Sequence, residues 1–334
     1  MVRTGLGRII ERMNYYFILT ESCNYHCNFC IRDNVSATLS GNMDYLNFRK
    51  VAELLYSAHP DAMITLTGGE PTIHPSFKEI VGFSSHLFKQ VCVTTNGSFN
   101  RDTAMFLEKY MRENLYVQIS LDGTKDFHNN LRGEYAFERA VANIMLFSNV
   151  WTHLAISTTV KRCKMDNIKE LATYLNCLKF HHWKVSQEQV SHPTKETIIP
   201  TKEWNNLVDD LLPLCRYRVT IKKMFAFDIW EKNIEDNYDM SFVRNCSFGN
   251  NKVYVTPNFD VLPCTCMNYS CGNLLADSIY VIRARLNKLQ VIEPDKSSIC
   301  YNCNYKVICN GGCPGYSMKV FGKYNMGDIR CPLL

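Results

Sequence analysis

At 334 residues and 46% hydrophobic content, the chain can bury a large core and suits one barrel-sized domain plus a smaller module. Its formal charge of +5 is small for this length and no long run of Lys or Arg stands out, which argues against nucleic acid or an anionic membrane surface as partner. Met1–Asn14 alternates basic and apolar side chains without an apolar block of signal-peptide length, and nothing later approaches a membrane span, so a cytoplasmic location is expected.

After this amino-terminal extension (1–14), β-branched and aromatic runs predict strands at Tyr15–Thr20, Ala62–Thr67, Gln90–Thr95, Leu115–Leu121, His153–Val160 and His182–Val190. Helical spacing lies between and after them, in Val51, Leu54, Leu55 and Ala58, in Ile168, Leu171, Ala172 and Leu175, and in Trp204, Leu207, Val208 and Leu211. Alternating strands and helices imply parallel βα units. Six such units fill residues 15–216, short of the about 250 residues of an eight-unit barrel, so an α/β fold with a partial (β/α)6 TIM-like barrel is expected. Ser191–Lys202, with Pro193 and Pro200, reads as the loop into the sixth helix. A bridge (217–240) then leads to a cysteine-rich domain (241–334).

The chain has sixteen cysteines, three between Cys23 and Cys30, nine between Cys246 and Cys331, and four scattered between. In a reducing compartment such clusters bind metal or do chemistry more often than they form disulfides. Cys23-x3-Cys27-x2-Cys30 follows the first strand directly, crowding three thiols into one loop. Thiolate-held clusters normally take four cysteines, so three leave one iron open to a small molecule. The alternative is a structural zinc site completed by His26. Gly68-Gly69-Glu70-Pro71 follows the second predicted strand, Thr95-Asn96-Gly97 the third, and Ser120-Leu121-Asp122-Gly123 the fourth. Each alone is an ordinary turn sequence. Together they sit at the carboxyl ends of successive strands, where barrel enzymes gather their active sites.

On these motifs the chain resembles the radical S-adenosylmethionine superfamily, whose cysteine loop stands here as Cys23-Asn24-Tyr25-His26-Cys27-Asn28-Phe29-Cys30. The resemblance implies that Cys23, Cys27 and Cys30 hold a 4Fe–4S cluster. It also implies that the methionyl group of S-adenosylmethionine binds the open iron, and that reductive cleavage yields a 5′-deoxyadenosyl radical. Gly68, Gly69, Glu70, Pro71, Asn96, Ser120 and Asp122 match positions near the cofactor. The glycines would let the backbone approach the ligand, and Glu70 would accept from its ammonium group. His128 and Arg132 match a stretch after the Asp-Gly turn, and Arg132 would clamp the cofactor carboxylate. Phe29 is expected to cover the cluster.

Cys300-x2-Cys303-x5-Cys309-x3-Cys313-x17-Cys331 resembles the SPASM domain, the auxiliary-cluster module of peptide-modifying radical enzymes. That pattern implies one auxiliary 4Fe–4S cluster on Cys300, Cys303, Cys309 and Cys331, and a second to which Cys246, Cys264 and Cys313 contribute, its fourth position filled by Cys266 or Cys271 or left open to substrate. A zinc-ribbon reading of the last five cysteines is the alternative. The sequence departs from the family in two places. The glycine ahead of the Pro-Cys pair is Phe259, and the aspartate base of sulfatase maturases, next to the cysteine matching Cys264, is Thr265, which leaves Asp260 as a substitute. The two cysteine regions, far apart in sequence, are expected to fold separately around their own metals.

The resemblance implies hydrogen abstraction from a peptide or protein side chain, forming a thioether or carbon–carbon cross-link in a ribosomally made precursor. The implied partners are that substrate, a reducing partner such as flavodoxin or ferredoxin, and a separate leader-peptide-binding protein, since a first strand near Tyr15 leaves no room for a recognition domain ahead of it. The rivals are a radical epimerase with Cys163 returning the hydrogen atom, a sulfatase-maturase-like enzyme, a small-alcohol dehydrogenase and a non-enzymatic zinc protein.

Overall fold

The computed structural model describes residues 12–31, 41–227, 229, 251–267, 269–289 and 293–334. The strands are β1 (Asn14–Ile18), β2 (Met63–Thr67), β3 (Val91–Thr95), β4 (Leu115–Ser120), β5 (Leu154–Val160), β6 (His182–Gln187), β7 (Arg218–Thr220), β8 (Lys252–Val255) and β9 (Val261–Leu262). They form one sheet ordered β7-β6-β5-β4-β3-β2-β1-β8-β9. All neighbours are parallel except β8 and β9. The order ends at β7 and β9 among the described residues, so the barrel is partial.

Successive side chains of a strand point to opposite faces, and the register sorts them cleanly. Phe17, Leu66, Val93, Val117 and Leu154 align across five strands and belong to the main apolar core. Each such side chain contributes on the order of 1.5–3 kcal/mol on burial. The opposite face carries Tyr16, Thr65, Cys92 and Tyr116 in one row and Ser120, Ser157, Lys184 and Thr220 in another. This polar face is the concave one, left for a ligand.

The helices are α1 (Tyr45–Ala58), α2 (Phe77–Leu87), α3 (Arg101–Met111), α4 (Lys125–Arg132), α5 (Ala136–Leu146), α6 (Met165–Leu175), α7 (Thr201–Leu211), α8 (Ile279–Leu289), the single turn α9 (Lys306–Cys309) and α10 (Pro314–Phe321). Asp44 caps α1 by accepting from Asn47 N at 2.8 Å, and Asn100 caps α3 by accepting from Thr103 N at 2.9 Å. The apolar positions predicted for α6 and α7 are all buried. In α1 the buried stripe is Phe48, Val51, Ala52 and Leu55, whereas the predicted Leu54 and Ala58 face outward, since they lie off the 3.6-residue repeat set by Phe48. No helix among the described residues is long and apolar enough to cross a membrane.

The six predicted strands are present, each shifted or trimmed slightly at its ends. The division beyond them is less sharp than expected. The bridge contributes β7 to one edge of the sheet, and the cysteine-rich region contributes β8, which pairs with β1 from Asn14↔Lys252 to Phe17↔Val255. The carboxyl-terminal region therefore does not stand apart. The Tyr316 phenol donates to Glu188 O at 3.1 Å and accepts from Val190 N at 3.0 Å, tying α10 to the chain leaving β6.

The turn from β8 to β9 explains the family glycine that this chain lacks. Phe259 stands at φ 68, in the left-handed region that glycine fills without strain. Its ring is 3% exposed and belongs to the main core. Left-handed backbone costs about 1–2 kcal/mol for a residue with a side chain, while emptying a buried phenylalanine site costs about 3–5 kcal/mol. Burial therefore outweighs strain. Phe259→Gly should lower stability by about 1–4 kcal/mol in denaturant titration; a stabilised variant would show that strain dominates.

Candidate active site

The cysteine loop leaves β1 and is held from below by the turn after β2. A Cβ on Gly68 would lie 2.6 Å from Thr20 O, and one on Gly69 would lie 2.1 Å from Ser22 O. Contact that close lets Gly69 N donate to Thr20 O at 2.7 Å and Glu70 N to Ser22 O at 2.8 Å. The glycines are thus required by the backbone leading into Cys23.

Glu70 is tied into the same turn. Its side chain is fully buried. Oε1 accepts from Thr72 N at 3.1 Å, Thr72 Oγ1 at 2.6 Å and Thr95 Oγ1 at 2.7 Å, and Oε2 accepts from Asn96 N at 2.7 Å. Burial pushes the carboxyl pKa up, while these four bonds pull it back. These four donors all come from the turn after β2 and the end of β3. Pro71 opens the 3₁₀ turn that supplies Thr72. Asn96 carries the link onward, since its Nδ2 donates to Asn24 Oδ1 at 2.9 Å and lies 3.9 Å from Cys23 Sγ. Asn24 Nδ2 returns a bond to Ser98 Oγ at 2.7 Å.

Asp122 is also fully buried and works through Arg132. Oδ2 accepts from Arg132 Nε at 2.6 Å and Oδ1 from Thr159 N at 2.8 Å. The guanidinium then lies over the Phe29 ring at 5.4 Å, with Lys161 Nζ also 5.4 Å from that ring. Phe29 thus lies near two cations, one closing α4 and one just past β5. Asp122 N donates to His128 Nδ1 at 3.0 Å, and burial drives the His128 pKa down to about 4, so the ring is neutral at physiological pH. Ser120 lies on the polar face of β4, level with Ser157. A cavity of about 260 Å³ is bounded by Cys27, Phe29, Cys30, Arg132, Thr159, the β6 residues Ser186 and Gln187, and Gln189 just beyond them. Burial raises the Cys27 thiol to about 11, opposed by Arg132; such a thiol binds metal by giving up its proton.

The carboxyl-terminal cysteines fall into two groups. Cys300, Cys303, Cys309 and Cys331 line one cavity of about 320 Å³ with Phe227 and Tyr305. Cys264, Cys266 and Cys313 line another of about 350 Å³. There Cys266 N donates to Cys264 Sγ at 3.3 Å and Cys266 Sγ to Gln189 Oε1 at 2.6 Å. Hydrogen bonding from Cys266 draws Cys264 down to about 6 and lowers Cys313 as well, against burial. Cys271 is fully buried in the main apolar core instead, its thiol raised to about 11 by burial. Cys246 lies outside the described residues. Among the described residues no three His, Cys, Asp or Glu side chains converge on a point fit for one ion. Thiols spaced around cavities suit a cluster, whose irons each take their own ligand.

Three other candidates sit elsewhere. Cys163 is exposed and lines a separate cavity with Asn28, Phe127 and Asn167, not the one holding Cys27. Thr265 donates to Gln189 Oε1 at 3.4 Å, and Asp260 accepts from Asn273 Nδ2 at 3.1 Å in the turn before β9. Gln187 and Gln189 were not anticipated, because polar residues at a strand end carry no motif. Arg330 was not anticipated either. Its NH1 donates to Gln187 Oε1 at 3.3 Å and its NH2 to the buried Asp328 at 2.7 Å, while Asp328 also accepts from Cys313 N at 2.9 Å.

Two outcomes are expected. Glu70→Gln sets an amide N–H₂ among donors, so it should cost about 1.5–3 kcal/mol in denaturant titration of the iron-free protein. A loss seen only with S-adenosylmethionine present would return Glu70 to the ligand. Cys266→Ala should lower the iron content of anaerobically reconstituted protein, whereas Cys271→Ala should leave it unchanged; the reverse would make Cys271 the ligand.

Comparison with known proteins follows the same lines. Residues 17–174 match the family model of the Radical SAM superfamily. The Bacillus subtilis antilisterial bacteriocin subtilosin biosynthesis protein AlbA is 27% identical over 317 residues, covering 89% of this chain and 66% of AlbA. The sporulation killing factor maturation protein SkfB of the same organism is 28% identical over 287 residues, covering 84% of this chain and 67% of SkfB. The chain thus spans about two thirds of the length of these relatives. In fold it is similar to Streptococcus suis SuiB bound to precursor peptide SuiA, with TM-score 0.78 at 16% identity over 97% of this chain and 76% of SuiB. It is also similar to anSMEcpe with bound AdoMet, with TM-score 0.71 at 18% identity over 95% and 93%. The matched residues run from β1 into α6 and include the cysteine loop, Glu70, Asn96, Asp122 and Arg132: residues 17–174 of this chain carry a Radical SAM domain.

Proposed function

We propose that this chain is a peptide maturase, abstracting hydrogen from a precursor peptide to form a thioether or carbon–carbon cross-link. The observation that carries the reading is a shared wall. Ser186, Gln187 and Gln189 line both the cavity of Cys27 and Cys30 and the cavity of Cys264, Cys266 and Cys313. A side chain lodged there would stand between two thiol-lined cavities. The relatives' names, subtilosin biosynthesis and sporulation killing factor maturation, favour a maturation reaction.

The donor sets fit the groups the family uses, since thiols line each cavity without disulfides among the described cysteines. In this reading Cys23, Cys27 and Cys30 hold the first 4Fe–4S cluster, and Cys264, Cys266 and Cys313 contribute to a second. Cys300, Cys303, Cys309 and Cys331 hold a third. When bound, the first cluster and S-adenosylmethionine supply a hydrogen-abstracting radical. The chain's own work is positional. Asn96 steadies the Cys23–Asn24 backbone, and Asp122 occupies Arg132 Nε, leaving the outer guanidinium nitrogens toward a carboxylate in the cavity. The concave Ser120, Ser157 and Ser186 positions offer hydroxyls to peptide amides. With Cys163 in another cavity, no thiol from that position reaches the abstraction site, which weighs against epimerisation.

The test is anaerobic incubation of reconstituted protein with reductant, S-adenosylmethionine and the short peptide encoded beside its gene, followed by mass spectrometry. Loss of two hydrogens from the peptide, matched by 5′-deoxyadenosine, is expected. Deuterium uptake from solvent without that loss would replace cross-linking by epimerisation. Cofactor cleavage with the peptide unchanged would remove it as substrate.

A further inference from the structure

Lys252 occupies an unusual place at the join between the barrel and the cysteine-rich region. On one side it pairs with Asn14 of β1. On the other, β8 and β9 run antiparallel with Tyr254 opposite Leu262 and Val255 opposite Val261. Carrying that register two residues further sets Lys252 opposite Cys264, on the same face of the sheet. Its ammonium lies 4.3 Å from the centroid of the Tyr16 ring and 5.2 Å from that of Tyr254, and the two rings are 4.9 Å apart. Among the described residues no carboxylate pairs with it.

The choice of partner decides what this charge can do. A carboxylate would cancel the ammonium field within a few ångströms, because the opposite charges form a dipole. Aromatic faces hold a cation through their quadrupole and leave its net charge intact. Lys252, half-buried, is thus held by the two rings and keeps its charge on the side of Cys264. The potentials of thiolate-held clusters depend on the charge and hydrogen bonds around them, and reduction adds one negative charge to the cluster.

We propose that Lys252, positioned by Tyr16 and Tyr254, is an uncompensated charge that raises the reduction potential of the cluster held through Cys264. This rests on the reading that Cys264, Cys266 and Cys313 bind a cluster. In the proposed reaction the 5′-deoxyadenosyl radical takes one hydrogen atom, closing the cross-link releases one proton to solvent and one electron to that cluster, and a nearby positive charge favours the reduced form. Lys252 touches neither substrate nor cofactor in this role, and it acts through the cluster.

The experiment is a redox titration of anaerobically reconstituted protein followed by electron paramagnetic resonance, comparing wild type with Lys252→Met, Lys252→Gln and Lys252→Arg. The neutral variants should shift one cluster signal to more negative potential and leave the others in place, while Lys252→Arg stays near wild type. Should both neutral variants lose iron from that site alone while Lys252→Arg keeps it, the requirement for charge is upheld in stronger form. Full iron content with no shift in Lys252→Met or Lys252→Gln would overturn the proposal, as would an Arg variant shifted equally with the neutral ones. Failure of the underlying reading looks different: wild-type iron content would then lack the cluster that Cys266→Ala should disturb.

Discussion

The buried carboxylate of Glu70 is the point on which the site's geometry depends. An ionised group without water is costly to bury unless it is fully hydrogen-bonded, and Glu70 meets that condition with donors from two strand ends. Thr72 belongs to the turn after β2, and Thr95 and Asn96 belong to the end of β3. The backbone of the same turn grips Thr20 and Ser22 through Gly69 and Glu70. Three successive strand ends are thereby locked to one another, and the cysteine loop inherits their rigidity. Asp122 repeats the device one strand later, joining β4 and β5 and aiming Arg132.

Much of this was legible in the sequence, though not always for the reason the sequence suggested. The six strands were readable because alternation of Val, Ile and Leu with Thr, Ser and Gln is a local signal. Gly68, Gly69, Glu70 and Asp122 stood out by motif, whereas their contacts with Thr20, Ser22, Thr95, Asn96 and Arg132 did not, because a motif records that a position is constrained and is silent about which neighbour constrains it. Spacing left Cys266 and Cys271 equivalent, and only the fold separates a thiol bonded to Cys264 from one sunk among Val261 and Leu274. Gln187, Gln189 and Lys252 were invisible because their importance comes from strands paired across long sequence distances.

The two-sidedness of the sheet bears on function. Parallel sheets covered on both faces read as nearly continuous apolar runs, yet here each strand keeps a polar row. Filling the concave face with side chains, as closed eight-stranded barrels do, would remove the chamber. This protein leaves it lined by hydroxyls, amides and a lysine, and covers its rim with the carboxyl-terminal region through Tyr316 and Arg330. Stability is drawn from the outer face, and the inner face is given over to chemistry.

The pairing of β8 with β1 sets an order of events during synthesis. β1 leaves the ribosome more than two hundred residues ahead of its outer neighbour β8. At about 5–20 residues per second that interval is roughly ten to fifty seconds. For its duration one edge of the founding strand has no partner, and open strand edges invite pairing with other chains. Gln187 and Gln189, which wall the cavity of the first cysteine loop, also follow that loop, after a shorter interval, so the cavity closes only once β6 has emerged.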